Sequence, residues 1–236
     1  MEDHQRHTNP QFEAELNGLR DALLKMGALV QVQIARAIEA LVNTDSAKAR
    51  ETIARDVEVN RLDIDTDERC IRLLALYQPA AGDLRLITTG LKITTDLERI
   101  GDNAVNICER VLEFNQHAVP SAYIDVPRMG AVAQSMVQDS LDAFTRGDAM
   151  LAEQVIARDD EVDSLDDEIC RQLLGFMAQN PEAIPRATPI LFVSKYLERI
   201  ADHATNIAEM VVFLVKGRDI RHMDKRQHDQ QERSVT

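Results

Sequence analysis

Paired carboxylates at four-residue spacing are the side chains of this chain with the clearest potential for chemistry. Glu98 and Asp102 lie in "LERIGDNAVNICE", and Glu198 and Asp202 lie in "LERIADHATNIAE", one hundred residues later. The two stretches agree at nine of thirteen positions, and four of the nine are chargeable. On a helix, side chains four residues apart point the same way, so each pair offers two carboxylates to one object.

A second acidic row accompanies each pair. The stretch "IARDVEVNRLD" carries Asp56, Asn60 and Asp63, and its repeat "IARDDEVDSLD" carries Asp159, Asp163 and Asp166 at the matching places. These acids recur every three or four residues, so they form a stripe along one side of a helix. Hard oxygen ligands without His or Cys suit Mg²⁺, Mn²⁺, Ca²⁺ or iron and suit structural zinc poorly.

Three interpretations of the repeated acids remain open from the residues alone. The acids form a solvated face of an acidic protein, or Arg99 and Arg199 neutralise acids of an adjacent helix in ion pairs that contribute little when exposed. Alternatively, carboxylates of facing helices build a cation site, as helix bundles often do. Duplication of the same acids beside the same arginine favours a specific role over a merely solvated face.

The elements that must position these acids are long helices. Apolar residues recur every three or four positions, for example at Leu16, Leu19 and Leu23, while aromatic residues make up only 4% of the chain. Each repeat reads as three helices, with Asp45 capping the second and Asp83 capping the third. We therefore predict an all-α protein of two tandem, pseudo-symmetric three-helix bundles, with boundaries at 1–118 and 119–217 and a disordered tail at 218–236.

The charge, the cysteine content and the missing motifs exclude several classes of function. The net charge is −13 and the pI is about 4.9, so the field of the molecule repels nucleic acid. Three cysteines without a CxxC pair favour a reducing compartment, and no apolar run resembles a signal peptide or a membrane span. We expect a cytoplasmic protein that meets a membrane only through partners. Phosphate-binding loops, dinucleotide motifs, common hydrolase motifs and the E-x-x-H pairs of di-iron bundles do not occur.

The motifs together resemble those of the PhoU family of phosphate-uptake regulators. The resemblance is carried by "VNRLD", "CIRLLALYQPAAGDLR" and "DLERIGDNAVNI" in the first half, and by "EVDSLDDEI" and "YLERIADHATNIAEMV" in the second. It covers roughly residues 12–216. It implies two three-helix bundles without enzymatic activity, a dimer, and E(D)xxxD motifs that hold iron or other metal ions. The metal ligands that it implies are Asp56, Glu98, Asp102, Asp159, Asp163, Glu198 and Asp202.

The resemblance also implies a function. Members of the family are negative regulators of the phosphate-starvation response that connect a phosphate ABC transporter, through its ATPase, to a sensor histidine kinase. At Asn60 this sequence has an amide where the second repeat has Asp163, which weakens the expected site of the first repeat. Which of Fe, Mn, Mg, Ca or Zn would bind is not distinguished. Two alternatives stay open: an accessory regulator of a low-affinity phosphate transporter, and a metal-dependent helical-bundle enzyme or metal store.

Overall fold

The chain folds as two repeats of long antiparallel helices. The computed structural model describes residues 9–114 and 125–220, and within them every regular element is helical. The first repeat contains α1 (Pro10–Asn43), α2 (Ser46–Tyr77) and α3 (Ala81–Phe114). The second contains α4 (Asp125–Arg146), α5 (Ala149–Ala157), α6 (Asp159–Gln179), a 3-10 turn (Pro181–Ala183) and α7 (Ile184–Lys216).

The helix ends are set by local chemistry that is shared between the repeats. Asp45 accepts hydrogen bonds from the backbone N–H groups of Ala47 and Lys48 in the first turn of α2, both at 3.0 Å, as the sequence predicted. Asp148 caps α5 in the same way at 3.0 Å. At the far end of α7, Gly217 adopts a left-handed conformation with φ of 65°, which glycine permits without strain. The expected cap at Asp83 is wrong, because α3 begins at Ala81 and Asp83 lies inside its first turn.

The second repeat differs from the first by a break in its middle helix. The long α2 corresponds to two shorter helices, α5 and α6, which meet at Arg158. The guanidinium of Arg158 donates to Asp139 at 2.9 Å and to Ser135 on the neighbouring α4. The equivalent Arg55 of α2 instead pairs with Glu51 of its own helix at 2.8 Å. The predicted three-helix unit is therefore confirmed, with one interruption.

The two repeats pack against each other through equivalent surfaces. Helix α3 runs along α7, and α1 contacts α4. At the α1–α4 crossing, Gly27 meets Leu141 and Gly130 meets Ile38, and a Cβ atom added at either glycine would lie 2.6 or 2.7 Å from the opposing side chain. Both glycines and both aliphatic residues occupy matching positions of the two repeats. The crossing is thus pseudo-symmetric and close.

The apolar residues that recur along the helices form the core of the protein. Leu16, Leu19 and Leu23 of α1 are buried, as are Leu97 and Ile100 of α3 and the matching residues of α7. An all-α fold with a repeated bundle is confirmed, and no helix in the described ranges is both long and apolar enough to cross a bilayer. The predicted boundary at 118/119 lies outside the described residues, and so does the predicted tail at 218–236 from residue 221 onward. Ile220, within the first three residues of that segment, packs against the core.

Candidate functional site

The acids of the second repeat converge between two helices. Asp159 and Asp163 lie on α6, and Glu198 and Asp202 lie on α7, the helix that α6 packs against. Partial burial, together with the carboxylates of Asp202 and Asp163, raises the pKa of Asp159 to about 6. Loss of hydration and the nearby Glu198 also raise the pKa of Asp163 and of Asp202. The four predicted ligands therefore lie close enough to repel one another, which favours a cation among them.

A lysine already neutralises one end of this cluster. The Lys195 ammonium donates to Glu198 at 2.7 Å and reaches Asp166 at the same distance. The Asp166 side chain is only 3% exposed, so the ammonium offsets the cost of burying its charge. The sequence placed Asp166 in the acidic stripe but did not identify Lys195 as its partner. Lys195 lies three residues before Glu198, and this i, i+3 spacing was a signal for the Lys195–Glu198 pair alone.

The first repeat forms a smaller cluster with an arginine. Burial, and then the Asp102 carboxylate, raise the pKa of Glu98, and Asp63 of α2 adds to the shift. The Arg99 guanidinium contacts Glu98 at 3.4 Å and Asp102 at 3.2 Å. Arg99 thus forms ion pairs, but its partners lie on its own helix and not on the adjacent helix that the sequence suggested. Asp63, which was not among the predicted ligands, faces this cluster from α2.

The first acid of the α2 row has a different environment from its counterpart in the second repeat. Asp56 accepts a hydrogen bond from Gln33 of α1 at 3.0 Å and another from Asn60 at 2.8 Å. Its two oxygens are therefore both engaged by neutral amides. The equivalent Asp159 instead accepts a hydrogen bond from the Thr205 hydroxyl at 3.2 Å. The doubt that Asn60 raised about a site in the first repeat thus has a structural basis.

A cleft lies beside the acids of the second repeat, at the junction with the first. Its volume is about 1060 Å³. Within it, Asp96 of α3 contacts His203 Nδ1 at 2.9 Å and accepts a hydrogen bond from Asn206 at 3.2 Å, which joins the two repeats. Other charged or polar residues of its lining are Lys92, Glu153, Asp159, Asp160, Thr205 and Glu209. The cleft is acidic, and it gives solvent access to Asp159.

The carboxylates supply suitable donors for a hard cation but do not form a finished coordination sphere. In the described ranges, no three His, Cys, Asp or Glu side chains are arranged as a group that could hold a metal ion. In the second repeat the positive charge of Lys195 stands beside Glu198, and in the first repeat Arg99 stands between Glu98 and Asp102. A cation entering either cluster would therefore compete with the ammonium or guanidinium that is already paired there.

Comparison with known proteins identifies the family. The family model of the PhoU domain matches residues 23–111 and 126–211, which is one copy for each repeat. The chain belongs to the PhoU family. The phosphate-specific transport system accessory protein PhoU homolog of Pseudomonas aeruginosa is 43% identical over 218 residues, covering 92% of this chain and 90% of the relative. The phosphate-specific transport system accessory protein PhoU of Escherichia coli (strain K12) is 38% identical over 219 residues, with 92% and 90% covered.

Solved structures of PhoU proteins share the fold. The crystal structure of PhoU from Pseudomonas aeruginosa superposes with a TM-score of 0.86 at 43% identity, covering 88% of this chain and 100% of that chain. The phosphate transport system regulatory protein PhoU from Streptococcus pneumoniae gives a TM-score of 0.82 at 31% identity, with 89% and 99% covered. The resemblance to PhoU proteins is confirmed over both repeats.

Proposed function

We propose that this chain is a negative regulator of phosphate uptake and of the phosphate-starvation response. The observation that carries the proposal is the match of the PhoU domain to both repeats, together with relatives named as accessory proteins of the phosphate-specific transport system. In this proposal the chain acts by binding and not by catalysis, which is supported by relatives that are named accessory proteins. The faces of long helices are suited to docking other proteins.

The partners in this proposal are the ATPase of a phosphate ABC transporter and the sensor domain of a histidine kinase. Helices α2 and α3 contain 32 and 34 residues, so each extends about 50 Å and offers a long surface. Two repeats of one fold give two similar but unequal surfaces, and a regulator that joins two proteins needs two. A coupling free energy of ~1–3 kcal/mol between the two partners would be enough for regulation.

Metal ions complete the proposed sites on the helix faces. The ligands of the second site are Asp159, Asp163, Glu198 and Asp202, whose mutual repulsion a divalent cation or iron would relieve. In the first site, Glu98 and Asp102 bind together with Asp63, while Asp56 contributes less because Gln33 and Asn60 engage both its oxygens. The second site is therefore expected to bind the cation more tightly.

The regulatory role is tested by the phosphate-starvation response in living cells. The gene is deleted in its own host, and alkaline phosphatase is measured in medium rich in phosphate. Deletion should give high activity, and the complete chain should restore repression. Constant repression in the deletion strain would contradict a role in the starvation response. A deletion that alters only the rate of low-affinity phosphate uptake would favour the alternative regulator.

The metal sites are tested by elemental analysis. Protein without an affinity tag is purified in the absence of chelators, and bound metals are measured by plasma mass spectrometry. A variant with Asp159→Asn and Asp202→Asn should lose most of the metal, and one with Glu98→Gln and Asp102→Asn should lose less. The control is Asp142→Asn, an acid on α4 that pairs with Arg146 away from both sites. Equal metal in all four proteins would contradict these ligands.

A further inference from the structure

The cleft beside the acids of the second repeat has walls from three parts of the fold. Its lining comes from α3, from α5 and the start of α6, and from α7. Five carboxylates and one ammonium line it, namely those of Asp96, Glu153, Asp159, Asp160, Glu209 and Lys92. Its volume of about 1060 Å³ is at the upper end of the range of ligand sites. A cleft of this size and charge is suited to an occupant with positive side chains.

The acids of the cleft belong to one side of the molecule only. The pseudo-symmetric positions hold Arg50, Val57 and Tyr196 in place of Glu153, Asp160 and Asp96. Both repeats keep the same buried apolar positions, so the fold itself does not require acids here. Binding of a positively charged group is the simplest reason for them.

The chain leaves α7 next to this cleft. Lys216, the last residue of α7, pairs with Glu153 of the cleft wall at 2.5 Å. Gly217 follows in a left-handed conformation, and residues 217–219 are exposed. Ile220 then lies against the protein again, where it packs against the core and lines the cleft. The segment that follows Ile220 therefore begins at the wall of the cleft.

The next six residues are rich in positive charge. They read "RHMDKR", with Arg221, Lys225 and Arg226 against the single acid Asp224, in a chain whose net charge is −13. An extended chain spans at most ~3.3–3.6 Å for each residue, so six residues reach ~20 Å from Ile220. This basic segment, residues 221–226, is thus complementary in charge to the cleft and long enough to extend along it.

We propose that the basic segment docks into the cleft of its own chain and that its side chains pair there with the carboxylates of α6 and α7. Exposed ion pairs contribute little individually. The segment is tethered at Ile220, however, and a short tether gives an effective concentration of the order of mM, so weak pairs are sufficient. A tail that is disordered by itself, as the composition predicts for residues 218–236, can gain order on binding in this way.

The environment of Asp159 supports a positive occupant. Burial, and then the carboxylates of Asp202 and Asp163, raise the pKa of Asp159, and Asp160 beside it adds to the shift. A guanidinium or ammonium placed in the cleft would relieve this repulsion. Docking therefore stabilises charges that the fold has brought together.

Docking also has a consequence for the proposed metal site. Asp159 is both part of the cleft wall and a predicted metal ligand. The docked segment and a metal ion would therefore compete for its carboxylate, so that each weakens the binding of the other. This consequence rests on the proposed function of the acids as metal ligands, whereas docking does not. Docking is therefore tested with a chelator present, so that its failure is distinguishable from failure of the metal site.

The test is limited digestion of the complete chain with trypsin, followed by mass spectrometry. Cleavage after Arg226 requires the segment to leave the cleft, so its rate reports the undocked fraction. Cleavage after Arg233, beyond the basic segment, is the internal reference. The ratio of the two rates should be low in the unaltered chain at about 50 mM NaCl. It should rise at about 500 mM NaCl, where salt screens the ion pairs.

Charge variants of the cleft provide the decisive comparison. Asp160→Asn with Glu209→Gln should raise the ratio about fivefold, the change expected from loss of two exposed ion pairs. Asp160→Asn alone, at an exposed position, should raise it about twofold. Asp142→Asn on α4 is the control and should leave it unchanged. Far-UV circular dichroism shows that each variant is folded.

Two results of the digestion would overturn the proposal. One is an equal ratio in the unaltered chain and in the double variant, because the acids of the cleft would then not hold the segment. The other is protection that grows as the protein concentration is raised from about 2 to 100 μM. The segment would then occupy the cleft of a different molecule.

Disulfide trapping tests the place of docking. Thr95, which is exposed and lines the cleft, is changed to Cys together with Gln227→Cys. This pair should form a cross-link at least about fivefold faster than Gln172→Cys with Gln227→Cys, because docking concentrates residue 227 at the cleft. Gln172 is exposed on α6 and lies ~20 Å along that helix from Asp159. Equal rates for the two pairs would refute docking in the cleft.

Discussion

Two aspartates at the same position of the two repeats should respond in opposite ways to removal of their charge. Asp159 begins α6 among other carboxylates, and its pKa is raised to about 6. Asp56 receives hydrogen bonds from two amides at 3.0 and 2.8 Å. We expect Asp159→Asn to stabilise the protein at neutral pH and Asp56→Asn to destabilise it.

The magnitude for Asp159 follows from its pKa. A rise from the ordinary value of 3.8 to about 6 corresponds to ~3 kcal/mol of unfavourable free energy for the ionised form. Because the side chain is only about half-buried, solvent screening reduces this to ~1.5 kcal/mol. A carboxylate at the start of a helix gains ~0.5 kcal/mol from the helix dipole, which the asparagine loses. The expected gain in the free energy of unfolding is therefore ~1 kcal/mol.

The pH dependence has a definite sign. Below pH 3.8 Asp159 is protonated in both the folded and unfolded states, so it contributes nothing. Between pH 3.8 and about 6 the unfolded chain ionises first, and stability falls as the pH rises. Above about pH 6, Asp159 is ionised in both states, and the folded state bears the full unfavourable free energy of its charge. The advantage of Asp159→Asn should therefore be near zero at pH 4 and complete by pH 7.5.

For Asp56 the cost comes from two hydrogen bonds to an ionised acceptor. An asparagine there keeps one acceptor oxygen and presents an NH₂ group to the other amide, which is a clash of donors. We expect a loss of ~1–2 kcal/mol. The assay is urea unfolding followed by circular dichroism at 222 nm, with a chelator present, at pH values from 4 to 7.5. Stabilisation by both substitutions, or an Asp159→Asn effect that is independent of pH, would refute the reasoning.

Three further predictions concern packing, charge and thiol reactivity. Lys195→Met should destabilise the protein by ~1–2 kcal/mol in urea unfolding, because Asp166 stays buried without its ammonium partner, whereas Lys195→Arg should cost less. Gly130→Val should lower the free energy of unfolding by ~1–3 kcal/mol, because the added Cβ atom would lie 2.7 Å from an isoleucine side chain of α1. Gly175→Val is the control, because a Cβ atom added there meets no atom within 4 Å, and its free energy of unfolding should change only by the difference in helix propensity. A thiol reagent at pH 8 should label at most Cys170 in the native chain, since burial raises the pKa of the other two thiols to about 12, and equal labelling of all three would contradict the core packing.

The fold could be read from the sequence where local signals determine it. The heptad-like apolar spacing, the Asp45 cap and the internal repeat all act over short distances, and the structure bears them out. The break at Arg158 could not be read in this way. Arg158 and Arg55 both stand in the sequence "IARD", but Arg158 bonds to Asp139 and Ser135 on α4, whereas Arg55 pairs with Glu51 of its own helix. Such a contact between distant segments leaves no periodic trace in the chain.

In the candidate site, too, local spacing predicts some features, and contacts between distant helices determine the others. The spacing of Glu198 and Asp202 predicts that they share a helix face, and their effects on Asp159 and Asp163 place all four together. What the spacing cannot predict is which neighbours come from other helices. Gln33 of α1 engages Asp56, and in the second repeat the corresponding residue of α4 is Met136, which has no amide to offer. Equivalent acids thus acquire unlike environments.

The proposed adaptor is tested most directly by asking whether the chain joins its two partners. The sensor region of the histidine kinase is immobilised, and capture of the transporter ATPase is measured by surface plasmon resonance with and without this chain. The account predicts that the ATPase is retained only when the chain is present. Absence of capture, or displacement of the chain from the kinase by the ATPase, would contradict a regulator that connects the two.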